Sequence, residues 1–530
     1  MNSATKSLPK DLDLAYEMIQ KQNTQIANLQ KHIASLEDAL RLERARRYGR
    51  SSEKYVDPND PQGQLFDEQM LESCWDGDPV EPESETKEVA AHRRKVNRGK
   101  REKLPEYLER IRVEHTLPES ELTGPNGEQF VKIGELISEQ LDIIPATVRV
   151  IQNVRFQYAV KGQEELGVKV APQQKQLIPK SMATPGLLAH IATAKYSHHL
   201  PLYRQSQIWQ SLDIKLSTSS LSRWVLQMGK ALQPLVDYQL EDMKQHDHIH
   251  ADETPLTVLE DKNKAKAKGK SHRGYMWVYA NHLGVVYRYA STREGKNATE
   301  VLSDYQGYVQ SDGYSGYNAL FDDGKRIRVG CFAHARRKFS DVQKASKKKS
   351  AKSDYVLKLI SKLYKLERKA KEDKLDPGQL KELRQTEAVP ILDKLEKYLE
   401  ELKPKVVPSS LLGKAIAYSL NNWCALRRYA ESGVTSIDNN LAENAIRPFA
   451  VGRKNWLFCG NNRGAEAGAN ILSMIESAKL YNLKVFDYLS YVFTHLPNAN
   501  TPRELEKLLP QYAREHVPSI KPLVRKKSKG

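Results

Sequence analysis

Ile19, Ile26, Ile33 and Leu40 recur at seven-residue spacing, with Leu29 and Leu36 at the intervening positions. The pattern predicts one helix in residues 1–56 whose apolar seam closes either as a coiled coil with another chain or against its own domain. The helix runs into a basic stretch, Arg44, Arg46, Arg47 and Arg50. Periodicity then disappears: residues 57–103 are rich in Pro, Gly, Asp and Glu, turn basic at Arg93-Arg94-Lys95, and read as a flexible linker. Within 104–180, apolar Val148, Val150, Val154, Phe156, Tyr158 and Val160 alternate with Arg149, Asn153, Arg155 and Gln157. This alternation predicts a half-buried strand in a small β-rich module.

Residues 181–240 change to helical signals. Thr184-Pro185 opens one helix, Pro201 precedes a second and Ser217-Thr218 caps a third. The last two, roughly 202–212 and 218–230, turn Ile208, Trp209, Leu212, Leu221, Trp224 and Val225 inward. A helix-turn-helix with Ser219, Ser220, Ser222, Arg223 and Gln227 facing a DNA groove fits this pattern, and so does a helical hairpin without a ligand.

From His246 to Gly468 the order of elements becomes informative. His248-Ile249-His250-Ala251-Asp252 is strand-like and leads into Glu253-Thr254-Pro255. After a lysine-rich loop at 262–270 come strand candidates Tyr275–Ala280 and Val285–Ala290, then a short helix from about Asn297 to Tyr305. Gly307–Gln310 is a fourth strand and delivers Asp312 in a turn; Ile327–Gly330 is a fifth, followed by helix Phe332–Phe339. This is the order of an α/β ribonuclease-H-like core, assigned to 241–340 and 434–482. A helical insertion at 341–433 interrupts it, with stripes Leu357, Ile360, Leu363, Leu366 and Leu392, Leu395, Leu399, Leu402. The insertion's many lysines either track nucleic acid or form solvated faces. Residues 483–530 read as C-terminal helices and a basic tail.

In such a core one carboxylate lies on the first strand, a second follows the fourth, and a third comes from a later helix. The candidates are Asp252, Asp312 and Glu443. Glu443 stands in Asp438-Asn439-Asn440-Leu441-Ala442-Glu443-Asn444-Ala445-Ile446-Arg447-Pro448, where Asn440 and Arg447 share its helical face. Two Mg²⁺ ions, with Mn²⁺ able to substitute, need several hard oxygen ligands converging on one point. They activate an attacking water or 3′-hydroxyl and stabilise the leaving oxygen. Singly, Asp252 and Asp312 read as strand-end caps and Glu443 as an ion-pair partner of Arg447. Their joint occurrence in topological order points to metal-dependent phosphoryl transfer.

Charge agrees with that chemistry: 83 Lys and Arg against 66 Asp and Glu give +17, which suits a polyanionic partner as well as a merely solvated surface. The four cysteines, Cys74, Cys331, Cys424 and Cys459, form no CxxC pair, so neither a disulfide framework nor zinc is expected. Cys331 and His334 make a C-x-x-H pair, either half a zinc site without partners or a buried thiol beside a histidine that helps to hold DNA. No apolar run is long enough for a bilayer and Met1–Lys10 is polar, so a cytoplasmic protein is expected.

Together these motifs resemble the transposases of the insertion-sequence 66 family of bacterial mobile elements. The resemblance is carried by Ala251-Asp252-Glu253-Thr254, by Asp312-Gly313-Tyr314 and by the run from Cys331 to Phe339. It is densest over Asp438–Gly468, where Asn439 to Asn444 and Gly452-Arg453-Lys454-Asn455-Trp456 fall in register. Tyr48–Lys54 and residues 202–230 match as well. The resemblance implies a DDE transposase, bacterial and nucleoid-associated, that binds element ends and cuts and joins DNA. It puts the catalytic and metal-binding triad on Asp252, Asp312 and Glu443. DNA is expected to meet Arg223, Ser219, Ser220 and Gln227 of the helix-turn-helix. Around the triad, His334, Arg336, Arg337, Lys338, Asn440, Arg447, Arg453 and Lys454 are the expected DNA contacts.

Members of the family commonly carry a small module with two zinc-binding CxxC pairs. Here the corresponding stretches, Thr123–Gly127 and Tyr158–Gly162, lack cysteine, so the module's fold is expected without zinc. Holding two element ends implies a homodimer or higher assembly on DNA, with small accessory proteins of the same element as further partners and no membrane. Two other classes share such a core or its DNA-binding parts. A structure-selective nuclease or resolvase on the same core would need neither a terminal-sequence reader nor a long basic insertion. A DNA-binding regulator derived from a transposase would have lost a triad carboxylate.

Overall fold

A computed structural model of the chain describes residues 12–48, 148–158, 169–170, 174–259, 271–345 and 350–520. It contains two compact units, Met1–Trp75 with Gln174–Gly530, and Asp76–Gln173. The linker, the basic segment after residue 48, the lysine-rich loop at 262–270, Lys347–Lys349 and the C-terminal tail lie outside the described residues.

In the larger unit five strands form one mixed sheet: β1 (His248–Leu259), β2 (Ser271–Ala280), β3 (Val285–Ala290), β4 (Gly307–Gln310) and β5 (Arg326–Val329). The order is β3-β2-β1-β4-β5. β1, β2 and β3 pair antiparallel, whereas β4 lies parallel to β1 and β5 parallel to β4. Trp277, Val278, Tyr279, Val286 and Tyr287 are almost completely buried. Consecutive residues of a strand face opposite sides, so both faces of this sheet are covered.

The cover on the β3 side comes from α4 (Thr218–Lys244) and α11 (Asn462–Leu480), named in chain order with the helices below. β3 is an edge strand, and α11 satisfies backbone groups at its Val285 and Tyr287. Ser477 Oγ accepts from Val285 N–H and donates to Val285 O, and Ser473 Oγ accepts from Tyr287 N–H at 2.8 Å. Serines four residues apart on one helix face thus close an edge that would otherwise invite pairing. α4 and α11 approach so closely at Gly229 that a Cβ there would collide with the Ala467 backbone.

Before α4 come α1 (Leu12–Tyr48), α2 (Pro185–Ala192) and α3 (Leu202–Ser211). α2 begins as its sequence predicts: the Thr184 side chain accepts from Leu187 N–H and Pro185 occupies the first turn. Two expectations need correction. α4 does not stop near 230 but continues to Lys244, because Leu232, Leu235, Val236, Leu240 and Met243 extend its buried stripe into the sheet's core. Ile208 and Leu212, expected inside, are 49% and 45% exposed.

α5 (Lys296–Val301) precedes β4, and α6 (Phe332–Ala345) follows β5. The insertion supplies α7 (Ala351–Glu372), α8 (Val389–Leu402) and α9 (Leu411–Asn421), which form a second core with α6. The stripe Leu392, Leu395, Leu399 and Leu402 is buried as expected. In α7 the buried face is Val356, Leu359, Ile360 and Leu363, leaving Leu357 and Leu366 at its margin. The chain returns through α10 (Asn440–Trp456) to α11, and α12 (Val485–His495) packs on α2 and α11.

The N-terminal seam remains open. Ile19, Ile26, Leu29, Ile33, Leu36 and Leu40 are all more than half exposed, whereas Leu42 is buried, and α1 touches α6 and α9. In the smaller unit, the strand expected over 148–160 is limited, among the described residues, to Gln157–Tyr158. Residues 148–156 have no regular structure and Val150, Val154 and Phe156 are exposed; only Gln157–Tyr158 pair with Lys169–Val170. Alternation needs an opposing layer to bury one face, and among the described residues none covers this segment. No described helix is long and apolar enough to cross a membrane.

Candidate active site

The register of β1 and β4 brings two aspartates together. His248 pairs with Tyr308, Ile249 with Val309 and His250 with Gln310. Two residues further on, past the end of β4, stand Asp252 and Asp312. In parallel strands about 4.8 Å apart, registered residues point to the same face. Asp252 lies inside the twelve-residue β1, opposite Val278 of β2, and not at a strand end. Its Oδ1 accepts the Glu253 N–H at 2.8 Å, and Asp312 Oδ1 accepts the Tyr314 N–H at 2.9 Å. Burial first, then the charges of Glu253 and Asp312 and more weakly Glu443, push the Asp252 carboxyl well above its usual range.

α10 runs along β1 in the same direction. Asn439, just before it, bonds His250 and Ala251; Arg453 near its end bonds Thr254 Oγ1 at 3.2 Å and the Pro255 carbonyl. Glu443, one turn into α10, is near enough for its charge to act on Asp252. Pro255 is tolerated inside β1 because β4 ends at the level of His250, so one edge of β1 has no strand neighbour there. The donor set at Asp252, Asp312 and Glu443 consists of carboxylate oxygens, which fits a hard divalent cation.

A buried polar network fixes the entry to α10. Asn439 is fully buried; its Nδ2 donates to Ala251 O at 2.9 Å, its Oδ1 lies 3.0 Å from His250 Nδ1, and its backbone N–H donates to Cys331 Sγ at 3.2 Å. The carbonyl can only accept, so the amide orientation is set and His250 must carry its proton on Nδ1. Burial lowers the His250 pKa to about 4, so the ring stays neutral. Asp438 accepts from Asn440 N, Asn440 Nδ2 and Tyr364 OH. On the other face of β1, Arg293 Nε and Tyr317 OH bond Glu253 at 2.8 and 2.7 Å, and Arg293 lies 3.8 Å above the Tyr314 ring.

The Glu443 carboxylate meets α6. Arg337 lies 3.3 Å from Oε2, His334 Nδ1 3.3 Å from Oε1, and Cys331 Sγ 3.9 Å from Oε1. Lys338 extends over the Tyr418 ring at 4.5 Å, and Lys454 and Arg447 are exposed on α10. Arg336 is half-buried. Asn440, expected to reach DNA, is 6% exposed and is bound to Asp438. On α4, Arg223, Gln227 and Ser219 are exposed, while Ser217 Oγ caps the helix by accepting from Ser220 N–H at 3.1 Å.

Sequence reasoning passed over Asn439, His250, Glu253, Arg293 and Tyr317. His250 and Glu253 stood two and one residues from a chosen aspartate, which was a usable signal. Nothing local linked Arg293 or Tyr317 to them.

The fold and site define a mixed α/β protein with an acidic, metal-competent centre bordered by basic side chains. A family model described as "Transposase IS66 family" matches residues 180–467, more than half of the chain, and the chain belongs to that family. Three further models match: "Transposase C of IS166 homeodomain" over 35–113, "zinc-finger binding domain of transposase IS66" over 126–159 and "IS66 C-terminal element" over 473–511. Similar relatives come from Sinorhizobium fredii (strain NBRC 101917 / NGR234). The uncharacterized protein y4jD is 32% identical over 77% of this chain and 81% of its own. The uncharacterized protein y4qI is 31% identical over 91% and 89%. Family membership implies polynucleotidyl-transferase-type activity in general and DNA as a partner.

The expectation of no zinc is overturned. A zinc-finger domain of the family matches 126–159, and Cys331, His334 and Glu443 form a group whose ligand atoms all lie within 4.8 Å of one another. Cysteine spacing excluded only thiolate-rich sites. A mixed set drawn from Cys331 just before α6, His334 on α6 and Glu443 on α10 is assembled by folding and leaves no CxxC signature.

Proposed function

We propose that this chain binds the ends of a mobile DNA element and catalyses metal-dependent strand cleavage and strand transfer on a ribonuclease-H-like core. The observation that supports the reading is the β1–β4 register, two residues beyond which come Asp252 and Asp312, with α10 bonded to β1 through Asn439, four residues before Glu443. Asp252, Asp312 and Glu443 are the proposed catalytic and metal-binding groups, for Mg²⁺ with Mn²⁺ as a substitute. Bound Mg²⁺ supplies positive charge at the scissile phosphate and lowers the pKa of a coordinated water. Asp252 and Asp312 hold fixed oxygens at the sheet; Glu443 contributes a third from a helix anchored at both ends. Arg337, Lys338, Arg447 and Lys454 line the approach and bind phosphate, while His334 and Arg336 flank it. Arg223, Gln227, Ser219 and Ser220 at the start of α4 read the element end. The exposed seam of α1 pairs protomers on DNA.

The test is nick mapping on labelled element ends with Mg²⁺. Asp252→Asn, Asp312→Asn and Glu443→Gln should each abolish nicking and joining and retain end binding, because each removes a metal ligand and few DNA contacts. Near-normal strand transfer by any one of them removes that residue from the triad.

A further inference from the structure

The group formed by Cys331, His334 and Glu443 is more than a corner of the carboxylate centre. Cys331 Sγ and His334 Nδ1 are poor partners for Mg²⁺, which prefers oxygen and retains its waters. Thiolate, imidazole and carboxylate together are the ligand types of zinc. With Zn–S about 2.3 Å and Zn–N and Zn–O about 2.0–2.1 Å, tetrahedral ligands stand about 3.3–3.5 Å apart. Here His334 Nδ1 is 3.3 Å and Cys331 Sγ 3.9 Å from Glu443 Oε1, and all three atoms lie within 4.8 Å of one another, so side-chain adjustment of about 1 Å brings the set to those separations.

Two independent observations point to a ligand. His334 Nδ1 is buried and faces Glu443 Oε1 at 3.3 Å without hydrogen-bond geometry. Cys331 Sγ already accepts the Asn439 backbone N–H at 3.2 Å, the interaction that supports a metal-bound thiolate. Arg337 engages the other carboxylate oxygen, Oε2, and leaves Oε1 turned toward the sulfur and the ring. The segment matched by the zinc-finger model, residues 126–159, contains neither cysteine nor histidine, so it offers zinc none of its usual soft ligands.

We propose that Cys331, His334 and Glu443 bind one thiophilic divalent cation of the zinc class, with water in the fourth position. Binding releases the Cys331 thiol proton to solvent and leaves the sulfur as thiolate. If Glu443 serves the function proposed above, and this consequence alone rests on that reading, a zinc ion here withdraws Glu443 from Asp252 and Asp312. Zinc is then an inhibitor of the Mg²⁺-dependent reaction.

The experiment is Co²⁺ titration of the purified full chain without DNA, read as thiolate-to-cobalt charge-transfer absorption, followed by displacement with Zn²⁺. The signal should saturate at one cobalt per chain, yield to zinc and survive a large excess of Mg²⁺. Cys331→Ser should abolish it, and Cys424→Ser should leave it unchanged. His334→Ala, at a half-buried position that tolerates truncation, should weaken binding by more than about tenfold with an unchanged circular dichroism spectrum. No signal from folded parent protein, a signal that persists in Cys331→Ser, or unaltered affinity in folded His334→Ala overturns the site. Nicking with Mg²⁺ is then compared with and without zinc at spectroscopic saturation. Suppression is expected, and full nicking at full occupancy overturns the inhibitory role while leaving the binding site standing.

Discussion

Asn439→Ala tests the geometry of the centre without touching a carboxylate. The Asn439 amide bridges Ala251 on β1 and His250, while its backbone N–H meets Cys331. Truncation removes both side-chain bonds and orphans the Ala251 carbonyl and the His250 Nδ1–H, neither of which can reach water because Asn439 is fully buried and His250 is 6% exposed. A buried unsatisfied polar group costs about 1–3 kcal/mol, so the two together destabilise by roughly 2–6 kcal/mol. Guanidinium unfolding followed by intrinsic fluorescence, to which the buried Trp277 of β2 contributes, should show this loss. Asn439→Asp keeps the shape but replaces the Nδ2–H donor by an oxygen facing the Ala251 carbonyl, and at neutral pH should be at least as harmful. A shift of about 1 Å between Asp252 and Glu443 would lower nicking on the order of a hundredfold. If Asn439→Ala unfolds within about 1 kcal/mol of the parent, the bridge does not hold α10 to β1 and the argument fails.

Other consequences are open to direct measurement. Burial pushes the Asp438 carboxyl from 3.8 up to about 6. A folded-state value above the unfolded one makes the contribution to stability complete below the unfolded pKa and lost as pH rises from about 4 through about 6. Asp438→Asn should flatten that loss in denaturation series across the window, and an unchanged slope would count against it. Arg223→Ala should reduce the preference for element ends over random DNA by on the order of 1–3 kcal/mol in competition gel shifts. Equal weakening on both DNAs would show that the start of α4 is not the reader. Ile26→Asp with Ile33→Asp should prevent paired-end complexes in sedimentation while nicking continues; intact paired complexes would assign the seam to its own chain.

The sheet was legible because each strand carries its own signal: a continuous apolar run in β2 and β3, and short runs bounded by glycine and aspartate in β4 and β5. Topological order then suggested which acids converge. What the sequence hid was extent. β1 continues through Glu253-Thr254-Pro255 to Leu259 although proline argues for a break, because its missing N–H falls where β1 has lost β4. α4 continues past Gly229 and Pro234, two helix-weakening residues, because its apolar stripe continues into the core. At 148–158 the alternation gives a strand only at Gln157–Tyr158, and among the described residues nothing buries one face of the rest. Two members of the metal-competent trio were legible as the C-x-x-H pair Cys331 and His334, but the third was hidden because Cys331 and Glu443 are 112 residues apart.

Local rules are broken most densely along α10, and the breaks have a common consequence. Leu457, exposed and without a glycine's freedom, takes φ 70° where α10 ends. That conformation turns the chain so that Cys459 N–H donates to Thr257 O and Leu259 N–H donates to Cys459 O, both at 2.9 Å. Arg453 is tied to Thr254 and Pro255 just before the turn, and Asn439 is tied to His250 and Ala251 at the opposite end. α10 is therefore anchored to β1 at both ends, and Glu443 stands one turn from the first anchor. A helix held at one end could swing its carboxylate by more than the tolerance of a metal site; one held at both cannot, short of breaking buried bonds. The strain at Leu457 has its physical reason in this arrangement: it is the local cost of returning the chain to the strand that carries Asp252.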